Sequence, residues 1–217
     1  MQLVSRIEEA VDTDFGPVQP AIITAACTAY QKVTTKYHDP NDGCDAQSFG
    51  YMVWKVLEHE ISTLARDPAL GIQIDPKEPA FRFQVGRFRF GVYRLGTEAV
   101  DQIDFRFPNN DGAAAELATD NVQYSFELSD DAYMPRSLVL GHLGNPTAGC
   151  EQIWIAEPFE TSTTGTISGW HWRKLIWRWD GRRQPLATEA VLPPAVPTKV
   201  PVLTLKKKTS QQEKPIA

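Results

Sequence analysis

The stretch from Leu70 to Leu95, LGIQIDPKEPAFRFQVGRFRFGVYRL, decides the fold class of this chain. Apolar and polar residues alternate through two short runs in it, which are separated by Gly86. The apolar positions carry aromatic and β-branched side chains, namely Phe81, Phe83, Val85, Phe88, Phe90 and Val92. This period of two predicts two β-strands that meet at a tight turn near Gly86. We expect one apolar face and one basic, solvated face that carries Arg82 and Arg89.

Three helical patterns precede this hairpin. Apolar residues recur at helical spacing from Leu3 to Val11, from Ile22 to Tyr37 and from Phe49 to Leu64. Asp45 is placed to cap the third helix. The patterns end at helix-breaking residues, which are Phe15-Gly16-Pro17, the run HDPNDG at 38–43, and Asp67-Pro68. The first 67 residues therefore predict three amphipathic helices that need an apolar surface to cover.

Further alternating segments follow the hairpin and supply that surface. They lie at 103–107, 122–128, 137–143, 152–157 and 170–179. Between the first two lies NNDGAAAELATDN, which predicts a short helix capped by Asn109, Asn110 or Asp111. Strands that follow helices predict an α+β fold with a mostly antiparallel sheet. We expect a helical layer at 1–68 and a sheet at 69–181 that together form one domain.

The chain changes character from Arg182 to Ala217. This segment is dense in proline and shows no helical periodicity. We therefore expect a disordered tail over 182–217. It carries seven basic and two acidic residues, whereas the preceding body carries 15 basic and 25 acidic residues, a net charge of −10. An acidic body keeps a protein soluble, favours basic partners and repels phosphate backbones.

The composition and the N-terminal sequence predict a cytoplasmic protein that does not enter a membrane. No apolar run approaches the roughly 18 residues that a membrane-spanning helix requires. The first 15 residues contain acids where a secretory signal would have a basic stretch before an apolar core. Cys27, Cys44 and Cys150 are few and widely spaced, so they predict no disulfide framework.

Candidate catalytic groups are scattered along the chain. His59-Glu60 begins a zinc-protease-like motif, but Thr63 stands where the second histidine is required. The chain also contains no nucleophile elbow and no glycine-rich phosphate loop. We therefore predict no catalytic, cofactor-binding or metal-binding residues. The alternative is a hydrolytic enzyme in which His38, His59 or His142 meets nearby acids, with or without a metal.

The strand WHWRKLIWRW at 170–179 carries four tryptophans. Trp170 and Trp172 have one parity and Trp177 and Trp179 the other, so the two pairs should face opposite ways unless a bulge intervenes. We expect the second pair to be exposed because it is nearest the end of the strand. Exposed tryptophans beside arginines suit a protein interface. The predicted interaction residues are Trp177, Arg178, Trp179, Arg182 and Arg183.

Together these patterns favour a non-enzymatic cytoplasmic interaction or regulatory protein. Its acidic body suggests that it neutralises or regulates a basic protein partner. A second alternative is a nucleic-acid-binding protein that uses the Trp/Arg strand and the basic run Lys206–Lys208. Nucleic acid is the less favoured partner, because the acidic body would repel its phosphates.

Overall fold

The computed structural model describes residues 2–75, 81–99, 101, 103, 137–160 and 167–181. Within these residues, three α-helices precede a six-stranded sheet, which confirms the predicted α+β fold. The helices are α1 (Gln2–Asp14), α2 (Gln19–Lys36) and α3 (Ala46–Leu64). The strands are β1 (Ile72–Asp75), β2 (Arg82–Val85), β3 (Phe88–Gly96), β4 (Ser137–Asn145), β5 (Gly149–Glu160) and β6 (Ile167–Arg178).

The helices begin and end where their sequence requires. Asp45 caps α3 as predicted: its side chain accepts the Ser48 backbone N–H at 2.8 Å, and the Ser48 hydroxyl accepts the Asp45 N–H at 2.8 Å. This reciprocal capping box satisfies two backbone donors at the helix start. The buried face of α3 consists of Phe49, Val53, Leu57 and Ile61. α3 packs against α2, and α2 in turn packs against β5.

The strands follow one another across the sheet in chain order, from β1 to β6. Every neighbouring pair is antiparallel except β3 and β4, which are parallel. β1 and β6 are therefore the two edges of the described sheet. β1 was not anticipated from the sequence, because only Ile72 and Ile74 alternate before the chain reaches Pro76.

The phenylalanine-rich hairpin forms as predicted. Phe83 of β2 lies opposite Phe90 of β3, and their rings stack with centroids 5.1 Å apart. Gly86 occupies the turn at φ +56°, a conformation that favours glycine. A Cβ at that position would also lie 2.5 Å from Oδ2 of Asp14. Asp14 ties the turn to α1, because its Oδ2 accepts the Arg87 backbone N–H at 3.0 Å and Nε at 2.8 Å.

The expected basic, solvated face of this hairpin is wrong at Arg82. Its residue is only 3% exposed, whereas Arg89 is half-buried. Asp75 of β1 lies directly opposite Arg82 in the register, and its carboxylate is 3.6 Å from Nε of Arg89. An arginine can be buried where a carboxylate stands nearby, because the pairing offsets part of the lost hydration.

β4 and β5 carry buried side chains on both faces of the sheet. The main core lies between the helices and one face and includes Leu138, Leu140, Ile153 and Ile155. A second cluster packs on the opposite face and consists of Ile103, Val139, Leu143, Trp154, Ala156 and Trp170. β4 is consequently buried on both sides, as its nearly continuous apolar sequence suggests.

Several sequence predictions fall outside the described residues. These are the strand at 122–128, the helix at 109–121 and the tail at 182–217. Of the predicted strand at 103–107, only Ile103 is described, and its side chain is buried in the second cluster. The described elements all belong to one compact unit, Met1–Ala187. Among the described helices, none is long and apolar enough to cross a membrane.

Candidate functional site

The pairing of β6 with β5 has three register shifts, and the one at His171 determines where Trp170 and Trp172 lie. Trp172 pairs with Glu157 whereas Trp170 pairs with Pro158, so His171 is an extra residue between them. A bulge of this kind changes which face the following side chains occupy. Trp172 therefore packs in the main core, and Trp170 packs in the second cluster on the opposite face. Trp170 and Trp172 thus face opposite ways, which is the exception that strand alternation allows where a bulge intervenes.

The C-terminal end of β6 is more exposed to solvent. Trp177 is half-buried against the main core, and Trp179, just beyond the strand, is 37% exposed. The Trp179 backbone N–H donates to the Glu151 carbonyl at 2.9 Å, which fixes the chain at that point. Arg178 is exposed, and its Nη1 lies 3.6 Å from Oδ1 of Asp101. Arg182 and Arg183, predicted to join this surface, lie outside the described residues.

Trp179 and Arg178 border a shallow open depression of about 110 Å³. Its other lining residues are Ala99, Asp101, Glu151 and Gln152. Two carboxylates and one guanidinium give this site a net charge of −1 at neutral pH. We call Trp177, Arg178, Trp179 and this depression the β6-end surface.

The turn between β4 and β5 holds one wall of the depression in place. Asn145 donates through Nδ2 to Oε2 of Glu151 at 3.1 Å and to the Thr97 carbonyl at 3.0 Å. Its own Oδ1 accepts the backbone N–H groups of Thr147 and Ala148. Because Asn145 is held from both sides, the Glu151 carboxylate is positioned before any ligand binds.

His142 is fully buried between the sheet and α2, whereas the β6-end surface is partly exposed. Its Nδ1 is 2.8 Å from the Tyr30 hydroxyl, and its Nε2 has no hydrogen-bond partner among the described residues. Burial and the nearby charge of Arg94 lower the pKa of His142 to about 3, so the ring is neutral at physiological pH. Arg94 itself donates to the carbonyls of Ala46 and Gly144 at 3.0 and 2.8 Å. This arrangement joins α2, α3 and the sheet.

The other histidines named in the hydrolase alternative occupy different environments. His38 follows α2 and packs its ring against Phe49 at 5.2 Å, whereas His59 lies on the exposed side of α3. Among the described residues, no group of three or more His, Cys, Asp or Glu side chains is arranged to hold a metal ion.

His171 is a candidate that sequence reasoning missed. It lies at the bulge in β6 with 52% of its side chain exposed, and its Nδ1 is 3.3 Å from Oε1 of the fully buried Glu157. In the part of the chain that is described, it is the only histidine paired with a carboxylate. The available signal was a glutamate inside an apolar strand, IWIAEPF, because such a buried carboxylate needs a partner.

A second aromatic surface on α3 was also missed. Tyr51 is 61% exposed, its ring lies 6.1 Å from that of Trp54, and Nζ of Lys55 lies 4.5 Å above the Trp54 ring. The signal was the spacing of two aromatic residues three apart on the polar side of a helix. This surface serves as an internal reference for the β6-end surface, because both expose an aromatic side chain.

Comparisons of the chain with models of protein families, with curated proteins and with solved structures find no match. No relative therefore contributes a function, and the geometry and charge of the chain itself are the basis for one.

Proposed function

We propose that this protein is a non-enzymatic cytoplasmic interaction protein that binds a basic protein partner through the β6-end surface. The observation that carries the proposal is the exposed Trp179 indole beside Asp101 and Glu151, on a frame fixed by Asn145. Binding there would neutralise the positive charge of the partner, which is how a regulatory or inhibitory protein of this kind would act.

The residue types at this surface support a protein partner. Tryptophan and arginine are enriched among the residues that dominate binding energy in protein interfaces. A tryptophan that is partly exposed in the free protein can bury its remaining apolar area when a partner covers it. Trp177 packs against the main core, and the Trp179 backbone N–H is bonded to the Glu151 carbonyl, so the surface is ordered before binding. Such preorganisation lowers the entropy lost on association.

The charge of the chain supports a basic partner. The body from residue 1 to residue 181 carries a net charge of −10. A field of one sign steers oppositely charged proteins and raises their association rate, most strongly at low salt. The carboxylates of Asp101 and Glu151 add a local attraction, and they oppose a phosphate group at the same place. The three cysteines are unbridged, which suits a reducing compartment such as the cytoplasm.

Affinity capture from an extract of the native cell tests the proposal. The wild-type chain is compared with Trp179→Ala and with Tyr51→Ala, which removes an exposed aromatic side chain from α3 as a matched control. We expect Trp179→Ala to weaken binding by at least about 30-fold, because a dominant interface aromatic contributes about 2 kcal/mol or more. Tyr51→Ala should bind as the wild type does, and added salt should weaken binding by both proteins.

Three outcomes would contradict the proposal. In the first, the wild-type chain captures no partner. In the second, Trp179→Ala and Tyr51→Ala lose binding equally, and in the third the captured partner is acidic.

A second candidate function, hydrolysis, is favoured by the pairing of His171 with Glu157. A buried carboxylate that orients a half-exposed imidazole is an arrangement used in general acid–base catalysis. The test is hydrolysis of an activated ester, p-nitrophenyl acetate, by the wild type, by His171→Ala and by His59→Ala as the control. Activity lost only in His171→Ala would favour an enzyme. Equal rates in all three proteins would remove this candidate.

A further inference from the structure

We infer that the depression beside Trp179 accepts an arginine side chain of the partner. This inference rests on the proposed function, because it takes the arginine to belong to the basic protein partner. It names the chemical group that the β6-end surface recognises. Three features of the depression carry it, namely its aromatic wall, its carboxylates and its size.

The aromatic wall and the carboxylates suit a guanidinium group in particular. A guanidinium stacks on an indole face, and its planar fork of N–H donors matches a carboxylate. Trp179 supplies an indole that is 37% exposed, and Glu151 supplies a carboxylate. Oε2 of Glu151 accepts from Asn145 at 3.1 Å, so this carboxylate is oriented while Oε1 is left for a ligand.

The resident cation does not fill the site. Arg178 and Asp101 are 3.6 Å apart, whereas a strong charge-assisted hydrogen bond spans about 2.7–2.9 Å. The Asp101 side chain is 99% exposed, so water and salt screen this pair. The depression of about 110 Å³ is several times the space that one water molecule needs, and a guanidinium fits in it. An incoming arginine would meet Glu151 and Asp101 and would be repelled by Arg178.

Because Arg178 repels the incoming arginine, removal of its charge should strengthen binding, whereas removal of a carboxylate charge should weaken it. The probe is N-acetyl-arginine methylamide, and its control is N-acetyl-citrulline methylamide, a neutral molecule of nearly the same shape. Binding is followed by NMR through the Trp179 indole N–H and the Glu151 backbone N–H in the full-length chain. We expect the arginine probe to shift both signals and the citrulline probe to shift them far less.

Three variants complete the experiment. Glu151→Gln should weaken binding of the arginine probe about three- to five-fold, since an exposed charge pair contributes little more. Arg178→Gln should strengthen it by a similar factor, because a competing positive charge is removed. Glu8→Gln removes an exposed carboxylate on α1 and should change nothing. Unchanged amide dispersion in each variant shows that the fold is retained.

The inference is overturned if citrulline shifts the signals as strongly as arginine, or if Arg178→Gln weakens binding. Partner capture that depends on Trp179, together with a probe that does not bind, would reject the arginine site alone. A probe that binds as expected, together with no captured partner, would instead reject the proposed function.

Discussion

The two ends of β6 carry the same short pattern, Trp-X-Trp, but the two patterns lie in different environments. Trp170 and Trp172 are buried in the apolar clusters on the two faces of the sheet. Trp177 is half-buried, and Trp179 lies past the last paired residue and is 37% exposed. The surroundings of such a pattern, and not the pattern itself, therefore decide whether its tryptophans are buried. The bulge at His171 places the first pair in the buried clusters of the two faces, whereas the end of strand pairing leaves Trp179 partly exposed.

The largest expected effect separates the two ends by stability. Trp172→Ala should lower the free energy of unfolding by about 3–5 kcal/mol, because it leaves a cavity in the main core. Trp179→Ala should lower it by no more than about 0.5 kcal/mol, as is usual for open surface positions. Urea denaturation measures both values, and similar losses would show that the end of β6 is also core.

The dependence of stability on pH tests how deeply the His142 ring is buried. The folded-state pKa of His142, about 3, lies below its ordinary value of 6.5, so the unfolded chain binds the proton more tightly. This contribution to stability is complete above pH 6.5 and is lost as the pH falls towards 3, by about 1.4 kcal/mol per pH unit.

His142→Gln should therefore unfold at a lower denaturant concentration but with a shallower dependence on pH in that range. Gln84→Ala, which removes no titratable group, is the control, and it should keep the steep dependence of the wild type. Equal slopes in the wild type and His142→Gln would mean that His142 is protonated in the folded protein.

Burial can also be tested near the opposite edge of the sheet, at Arg82 of β2. Arg82→Ala should cost about 1–3 kcal/mol, because it removes a buried polar side chain opposite Asp75 and leaves neighbouring groups without their partner. Gln84→Ala, at the exposed position two residues later, should cost about 0.5 kcal/mol or less. Chemical denaturation of the two variants checks this difference. Equal small losses would restore the interpretation of this hairpin face as solvated.

The smallest expected effect concerns the ion pair between α1 and the hairpin turn. Burial alone would raise the pKa of Asp14, but the hydrogen bonds and charge of Arg87 outweigh it and lower that pKa below 3.8. A lowered folded-state pKa stabilises the fold above 3.8, and this contribution is lost as the pH falls through the folded value. Asp14→Asn should cost about 0.5–1 kcal/mol at pH 7 and nothing in strong acid. A difference that persists in strong acid would assign the effect to packing.

Much of the fold could be predicted from the sequence, because periodicity and capping are local. The helix ranges, the Asp45 cap, the phenylalanine hairpin and the paired strands β4 and β5 followed from residues close together in the chain. The burial of Arg82 could not be predicted, because it depends on the pairing of β2 with β1. β1 itself is four residues long, too short for periodicity to reveal.

The candidate site was only partly accessible to sequence reasoning. The exposed end of β6 could be expected because Trp177 and Trp179 are nearest the end of the strand. The bulge at His171 could not, because an extra residue is visible only against the partner strand. The pairing of His171 with Glu157 joins positions 14 residues apart and depends on that register. Asp101 and Glu151 likewise reach the depression from separate parts of the chain.

The most direct test of the central claim is an NMR spectrum of the indole N–H groups of the six tryptophans. It is recorded for the full-length chain before and after addition of the partner recovered by affinity capture. If the open end of β6 is the binding surface, the Trp179 signal shifts or broadens while the signals of Trp170 and Trp172 remain in place. An unchanged Trp179 signal, or a change confined to Trp54 on α3, would contradict the account.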